Sequence, residues 1–318
     1  MKPTICCINP KCTQFQNQED ERAWIRKHGE FRRKCDSKIV TRFRCLLCKK
    51  TFSNQTFNPT YRQHRPRINN LVRKLIVSKV SMRQIAREFD INRKTVRRKF
   101  SFHAKMAHIE QAKRMKHYKN IDFVQIDEME THEHSKCKPL SIALAVIPGT
   151  CIILGANSSE MPAKGPLAKI SREKYGPRRD DRRAAFQKTL NDMRTSVSQD
   201  VWFFSDKKST YPRWITDVFP SSQHFKAKGR RGCIAGYGEM KKIGFDPLFW
   251  INHGAATLRD GLARMLRKTW CNTKTRPALQ EALDLFVDYH NEKMERKETK
   301  PVCRIDWLRK CRFYGSLL

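Results

Sequence analysis

Two groups of residues have the types and spacing that metal chemistry requires. The first is Cys7-Ile-Asn-Pro-Lys-Cys12, answered far along the chain by Cys45-Leu-Leu-Cys48. Each pair closes on a short turn, so four thiolates can meet one tetrahedral Zn2+ in a small ribbon. Pro10 helps the first knuckle turn back, and Phe52 follows the second pair where it can cover the metal. Cys6 offers an alternative first ligand to Cys7, and the bland alternative for the set is free thiols. The second group is Asp127 and Asp206, each at the end of a short apolar run: Phe123-Val124-Gln125-Ile126 before Asp127-Glu128, and Val201-Trp202-Phe203-Phe204-Ser205 before Asp206. Carboxylates at the ends of neighbouring strands can hold Mg2+ or Mn2+, and such ions stabilise the attacking and leaving oxygens of phosphodiester chemistry. Asp is also common where strands meet loops, so spacing alone leaves both readings open.

The elements around these groups follow from periodicity. Short strands at 31–34 and 40–44 lie between the cysteine pairs. Ile68, Leu71, Val72, Leu75 and Ile76 then repeat at three and four, marking a helix. Ser81 caps a second helix through Phe89, Asp90-Ile91-Asn92 turns, and a third begins at Arg93. Ile85, Phe89, Ile91 and Val96 would pack such a helix-turn-helix, with Arg83, Arg93, Lys94, Thr95, Arg97 and Arg98 toward the major groove of DNA. A basic helical hairpin touching phosphate alone is the plainer alternative. Downstream, Leu140 to Ile147 and Cys151 to Gly155 read as a hairpin about Pro148-Gly149. A charged insertion spans about 158–183, and Ala184 to Val197 reads as a helix. A long basic helix is expected from about Asn252 to Trp270, with Arg259, Arg264, Arg267 and Lys268 toward the DNA backbone, and another from Ala278 to Arg296.

Charge points to the same partner. The 318 residues carry 66 Lys and Arg against 31 Asp and Glu, a net of +35. Residues 1–100 hold 26 basic against 7 acidic side chains, a net of +19, so the amino-terminal third is the most densely basic. Such self-repulsion is best relieved by a polyanion. The longest apolar stretch is far below the roughly 20 residues of a membrane span, and the first 20 residues have no apolar run. No membrane partner is expected, and the localisation expected is cytoplasmic, on the nucleoid.

In order and motif the chain resembles insertion-sequence transposases of the zinc-ribbon, helix-turn-helix and DDE kind, especially the insertion-sequence-one type. The resemblance lies in Cys48-Lys49-Lys50-Thr51-Phe52, Arg83-Gln84-Ile85-Ala86-Arg87, Ile126-Asp127-Glu128-Met129, Ser205-Asp206 and the stretch Thr257 to Lys274. It covers nearly the whole chain except the 158–183 insertion. It implies binding to terminal inverted repeats and target DNA, both double-stranded, metal-dependent cleavage and strand transfer, and a homo-oligomer on DNA. One departure stands out: where the family has a third acid, Glu followed by Arg, this chain has Asn252 and His253. Some related transposases carry Asn with His there; Asn offers a neutral oxygen and His253 a ligand or proton carrier, or else a capping or core histidine. Glu239, Asp246 and Asp260 are nearby acids, though Asp260 lies about two helical turns beyond Asn252. The competing reading is a catalytically inactive or domesticated DNA-binding protein, repressor-like. The expected architecture is α+β: a ribbon at 1–57, a helical DNA-reading unit at 60–105, and a ribonuclease-H-like mixed-sheet core with flanking helices at 118–318.

Overall fold

The computed structural model describes residues 5–15, 24–34, 37–227, 245–265, 272–297 and 299–315. Glu239, Arg267, Lys268 and Cys35 lie outside the described residues. The chain divides into two compact units, Met1–Asn70 and Leu71–Leu318.

The first unit is built on three antiparallel strands in sequence order, β1 (Ile25–Arg32), β2 (Ile39–Cys45) and β3 (Thr51–Ser53). Its buried centre is Cys7, Cys45 and Phe52, with Phe43 stacked on Phe52 at 6.0 Å between ring centres and Phe57 edge-on at 5.8 Å. So small an apolar centre contributes little stability by itself, and a unit of this size needs a further crosslink.

Three helices come next: α1 (Asn69–Val77), whose first two residues end the first unit, then α2 (Met82–Glu88) and α3 (Arg93–His117) in the second. Ser81 caps α2 reciprocally, its hydroxyl accepting from the Gln84 N–H at 3.3 Å while Gln84 Oε1 accepts from the Ser81 N–H at 3.0 Å. Asn92 Oδ1 accepts from the Lys94 N–H at 2.8 Å and so starts α3. α3 does not stop near residue 105. Val96, Phe100, Ala104 and Ala107 form one buried stripe, and the helix runs on to His117.

The sheet follows, with β4 (Ile121–His132), β5 (Pro139–Val146), β6 (Ile153–Glu160), β7 (Val197–Ser205) and β8 (Gln223–Lys226) in the order β6-β5-β4-β7-β8. β4, β5 and β6 are antiparallel neighbours, while β7 lies parallel to β4 and β8 parallel to β7. Three antiparallel strands, then two parallel ones added on the other side of the first, make a ribonuclease-H-like mixed sheet within an α+β fold. β5 is apolar along its length because both faces of the sheet are covered. One face carries α7 (Phe249–Gly261), α8 (Arg276–Glu295) and α9 (Arg304–Phe313), with α3 packed on α8. The other carries α5 (Arg182–Asp192) and α6 (Tyr211–Thr216), through Phe186, Leu190, Tyr211 and Ile215.

Two further expectations are corrected. The third strand was expected to end at Gly155, where the residues turn polar, yet β6 continues to Glu160 and is buried. Its polar groups are satisfied inside: Asn157 donates to Thr189 at 3.0 Å, and the Ser158 N–H donates to Gln280 at 2.8 Å. The inserted stretch after it folds in part as α4 (Leu167–Tyr175). The basic helix expected to reach Trp270 ends at Gly261; Leu262 turns extended (φ −104°, ψ 112°) and buries its side chain, and a short 3-10 turn, Ala263–Met265, follows. α9 carried no expectation, its three buried residues (Trp307, Leu308 and Cys311) being spaced among charges.

Two glycines hold close approaches. Gly149 has φ +91° in the β5–β6 turn, and a Cβ there would lie 2.5 Å from the Lys300 carbonyl oxygen. At Gly261 a Cβ would overlap the Phe286 ring on α8. Gly261→Ala should therefore destabilise the protein by about 1–3 kcal/mol through overpacking, read as a lower urea midpoint at unchanged slope. A midpoint equal to that of the parent would show that the ring can give way.

Candidate functional site

The four-cysteine cluster forms where the strands of the first unit meet the preceding knuckle. The Sγ atoms of Cys7, Cys12, Cys45 and Cys48 all lie within 4.8 Å of one another, with Cys7–Cys48 at 3.5 Å and Cys12–Cys45 at 3.9 Å. A tetrahedral site with Zn–S bonds of about 2.3 Å needs sulfurs about 3.8 Å apart, so the donor set fits Zn2+ in number, chemistry and spacing. Cys7, not Cys6, belongs to the cluster. Burial drives the Cys7 thiol up to about 12. At Cys48 burial is outweighed by the backbone hydrogen bond from Lys50 and by contacts with Asn9 and the other thiols, which bring it down to about 6. Crowded sulfurs cannot all ionise without a cation among them.

The second site is carried by β4 and β7. Gln125 is opposite Phe204 in the parallel register, and two residues further along both chains bring Asp127 level with Asp206. Alternation puts Phe123, Gln125, Asp127 and Met129 on the face that meets α7 and α8, while Glu128 points to the other face. Asp127 lies inside the twelve-residue β4 and not at its end, and Asp206 directly follows β7. Burial, then the facing Asp206 carboxylate, raises the Asp127 pKa to about 6. Asp127 Oδ1 accepts from the Glu128 N–H at 2.7 Å and from the Tyr211 hydroxyl at 3.1 Å, bonds that fix the carboxylate while Oδ2 takes neither.

Glu128 is neutralised from below. Its carboxylate pairs with Lys208 and accepts from Ser141 at 2.9 Å. The Tyr211 hydroxyl, buried on the first residue of α6, also lies 3.3 Å from Glu128 Oε2 and accepts the Glu128 N–H at 3.1 Å. Burial and then the carboxylates of Asp127 and Glu128 push the Tyr211 pKa up, so it serves as a donor. Asp206 Oδ1 accepts the Lys208 N–H at 3.1 Å, which turns the chain so that Lys208 reaches Glu128. On β8, His224 meets Ser205 Oγ at 2.8 Å, and burial lowers its pKa to about 4, so it stays neutral.

Asn252 and His253 are exposed on the first turns of α7. That helix is anchored by buried Gln125, whose Nε2 donates to the Pro247 carbonyl at 2.8 Å and whose Oε1 accepts the Ile251 N–H at 3.0 Å. Asp246 braces the same turn, taking the Leu248 N–H at 3.0 Å and the Asn252 side-chain amide at 2.9 Å. Among the described contacts, the partner of the Asn252 side chain is Asp246 and not either aspartate of the pair, and the His253 ring lies beside Phe249 at 5.9 Å. Asp246 thus braces the turn that leads into α7, and Asp260 pairs with Lys79 at 2.9 Å on the outside.

The proposed DNA-facing residues separate into groups. Arg83, Arg93, Lys94 and Arg98 are exposed and Thr95 is half-buried. Arg97 instead faces α8, 2.5 Å from Glu281 and 2.7 Å from Ser101. Arg259 is exposed, while Arg264 lies over the Phe100 ring at 5.3 Å. Gln125, Lys208 and Tyr211 were not singled out from sequence. Gln125 carried a signal, since a polar side chain inside an apolar strand must find partners; Lys208 and Tyr211 carried none.

Two measurements bear on these sites. Cys7→Ser should lose bound zinc and Cys6→Ser should keep one Zn2+ per chain by elemental analysis; equal loss from both would refute the assignment. For Asp127 the folded pKa of about 6 lies above the reference 3.8. The folded state therefore holds its proton more tightly, and the stability this gives is complete below the unfolded value and lost as pH rises through about 6. In EDTA, Asp127→Asn should then be more stable than the parent at pH 8, on the order of 1–2 kcal/mol, with the gain absent at pH 4. Thermal unfolding at the two pH values reads this directly, and a variant no more stable at pH 8 would count against a strained carboxylate.

No protein-family model matches the chain, and no curated protein matches it. Among solved structures, the crystal structure of the Mos1 strand transfer complex matches at 9% identity over 74% of this chain and 79% of that one, with a TM-score of 0.23. The ribonuclease-H-like character of the core rests on its own strand order and directions.

Proposed function

We propose that the chain is a DNA transposase that binds the terminal inverted repeats of a mobile element and cuts and joins DNA with a divalent cation. The observation that carries this reading is the pair Asp127 and Asp206, level on adjacent parallel strands, with the Asp127 carboxylate held above its ordinary pKa by burial and by its partner. A buried carboxylate whose charge is opposed by a neighbouring carboxylate forms a cation site waiting to be neutralised. They would hold Mg2+ or Mn2+, which supplies Lewis-acid stabilisation of the attacking and leaving oxygens.

The chain's own residues do the rest. Tyr211 and the Glu128 N–H orient Asp127, and Lys208 pairs with Glu128, the lesser of the two carboxylates that oppose the Asp127 charge. Asn252 and His253 stand at the start of α7, where His253 can carry a proton at its exposed ring. Recognition falls to a helix-turn-helix of α2 and α3, with Arg83, Arg93, Lys94, Thr95 and Arg98 toward duplex DNA; Arg97 is withdrawn from that set by Glu281. The four-cysteine ribbon takes structural Zn2+. Among the described residues no helix is long and apolar enough to cross a membrane. A multimer on DNA and the insertion-sequence-one type are part of the same reading, because two ends must be brought together.

A second reading, a repressor-like DNA-binding protein without catalysis, is favoured by one observation: an Asn occupies the third position and its amide is engaged by Asp246. Strand-transfer assays on terminal-repeat DNA with Mg2+ or Mn2+ separate the two. The transposase should join ends, and Asp127→Ala or Asp206→Ala should reduce joining by roughly a thousandfold or more while leaving DNA binding in place. Joining that survives both substitutions would sink the catalytic assignment, and binding without cutting in either cation would establish the repressor.

A further inference from the structure

The first unit contains a groove of about 1300 Å3 between the strands and the segment that follows them. Six Lys and Arg line it, and among its described lining residues none is Asp or Glu. Aromatic rings stand among the cations. Phe31 on β1 is 44% exposed and Tyr61, in the segment after the strands, is 43% exposed, with the Arg62 guanidinium 5.3 Å over the Tyr61 ring. Arg62 and Arg65 hold left-handed backbone (φ 61° and 45°), uncommon for residues with a side chain, so that segment follows a course set by its surroundings.

We propose that this groove binds an unpaired nucleic-acid strand. A ring of like charge around a concavity attracts a polyanion, and each phosphate that enters relieves repulsion and releases counterions. Charge alone does not choose between a strand and a duplex. The rings do: exposed aromatic faces interleaved with Arg give unpaired bases surfaces to stack on, whereas a duplex hides its base faces in its own stack. A groove that tracks a strand by charge and holds bases by stacking is tolerant of sequence, in contrast to the base-edge reading proposed for α2 and α3. The chain thus has a second nucleic-acid surface, in a different unit from the first, and its chemistry suits the single strand exposed when DNA ends are opened. It does not depend on the Asp127–Asp206 pair.

The test uses the full zinc-loaded chain and fluorescence anisotropy with a single-stranded DNA of about 12 nucleotides, the RNA of the same sequence, and the DNA duplex, a length within the range of roughly 4–16 nucleotides that single-strand sites occupy. The double variant Phe31→Ala and Tyr61→Ala should weaken strand binding at least about tenfold and duplex binding less than about twofold, because each stacked base contributes about 1–3 kcal/mol. Tyr61→Phe keeps the ring and should bind as the parent. Arg83→Ala with Lys94→Ala should do the reverse, weakening the duplex and sparing the strand. Arg42→Ala with Arg62→Ala should flatten the salt dependence of strand binding by a slope of about 1.4, from about 0.7 per phosphate. That variant decides the matter if the aromatic one loses its zinc. Strand affinity unchanged in the aromatic variant, equal losses for strand and duplex, or an unchanged salt slope would each overturn the proposal, as would displacement of the strand by an acidic peptide at matched charge. The tighter of the DNA and RNA strands names the natural source. Asp127→Ala should bind the strand as the parent does, so loss of cutting and loss of strand binding are separable.

Discussion

A carboxylate set into an apolar sheet beside a second carboxylate is the constraint around which the core is arranged. Asp127 shares its face of β4 with Phe123 and Met129, and its charged form is opposed first by burial and then by Asp206. The surroundings hold the group in place and relieve it only in part, burial and Asp206 outweighing the two hydrogen bonds it accepts. Tyr211 and the Glu128 N–H fix its orientation through one oxygen, Lys208 is spent on Glu128, and His224 is kept neutral by its own burial. A purely structural core would place a cation against Asp127 or replace it with an apolar side chain, since an uncompensated buried charge is costly. The arrangement keeps the cost and leaves the remedy to something that binds.

Gln125 shows how the same strand also places α7. One side chain satisfies a carbonyl and an N–H at the start of that helix, two residues before Asp127 on the same face. The turn carrying Asn252 and His253 is therefore tied to the strand that carries the acid, not merely packed near it. Asp246 then holds the Asn252 amide, which orients its oxygen as well. The residues that sequence offered as rivals for the third position become partners: the acid braces the turn before the helix, and the amide it holds is what the helix presents.

Where the sequence was legible, a local rule and the tertiary environment agreed. The cysteine spacing needed only chain turns to bring four sulfurs together, and the apolar run of β5 needed only two covered faces. Where it was not legible, long-range partners overrode local character. The polar end of β6 looks like loop until Thr189 and Gln280 are seen to meet it. The basic pattern after Asn252 looks like one long helix, but Gly261 against Phe286 and the inward turn of Leu262 end it. Arg97 fits the exposed basic set by spacing, and only its distance from Glu281, across 184 residues of chain, removes it. Tyr211 meets Asp127 because α6 folds back beneath β4, and Lys208 meets Glu128 across 80 residues of chain, contacts that no window of sequence contains.

That overridden arginine has a consequence for how the parts act together. α3 is a single helix of 25 residues, about 37 Å long at the usual rise. Near its start Arg97 is tied to Glu281, and near its end Arg114 is tied to Asp288 at 3.1 Å and Glu295 at 3.0 Å, all on α8. Arg73 on α1 reaches the same Asp288 at 3.0 Å. Asp288 is buried, so this is a desolvated pair with two guanidiniums on one carboxylate, where removing one partner leaves an uncompensated charge. The exposed basic residues at 93–98 are therefore carried by a rod bound along its length to the core that bears Asp127. Under the proposed function, DNA held by those residues would meet the carboxylate pair at a distance set by helix packing. Choice of the reacting phosphate would then follow from geometry within one folded unit, the one that holds both α3 and Asp127.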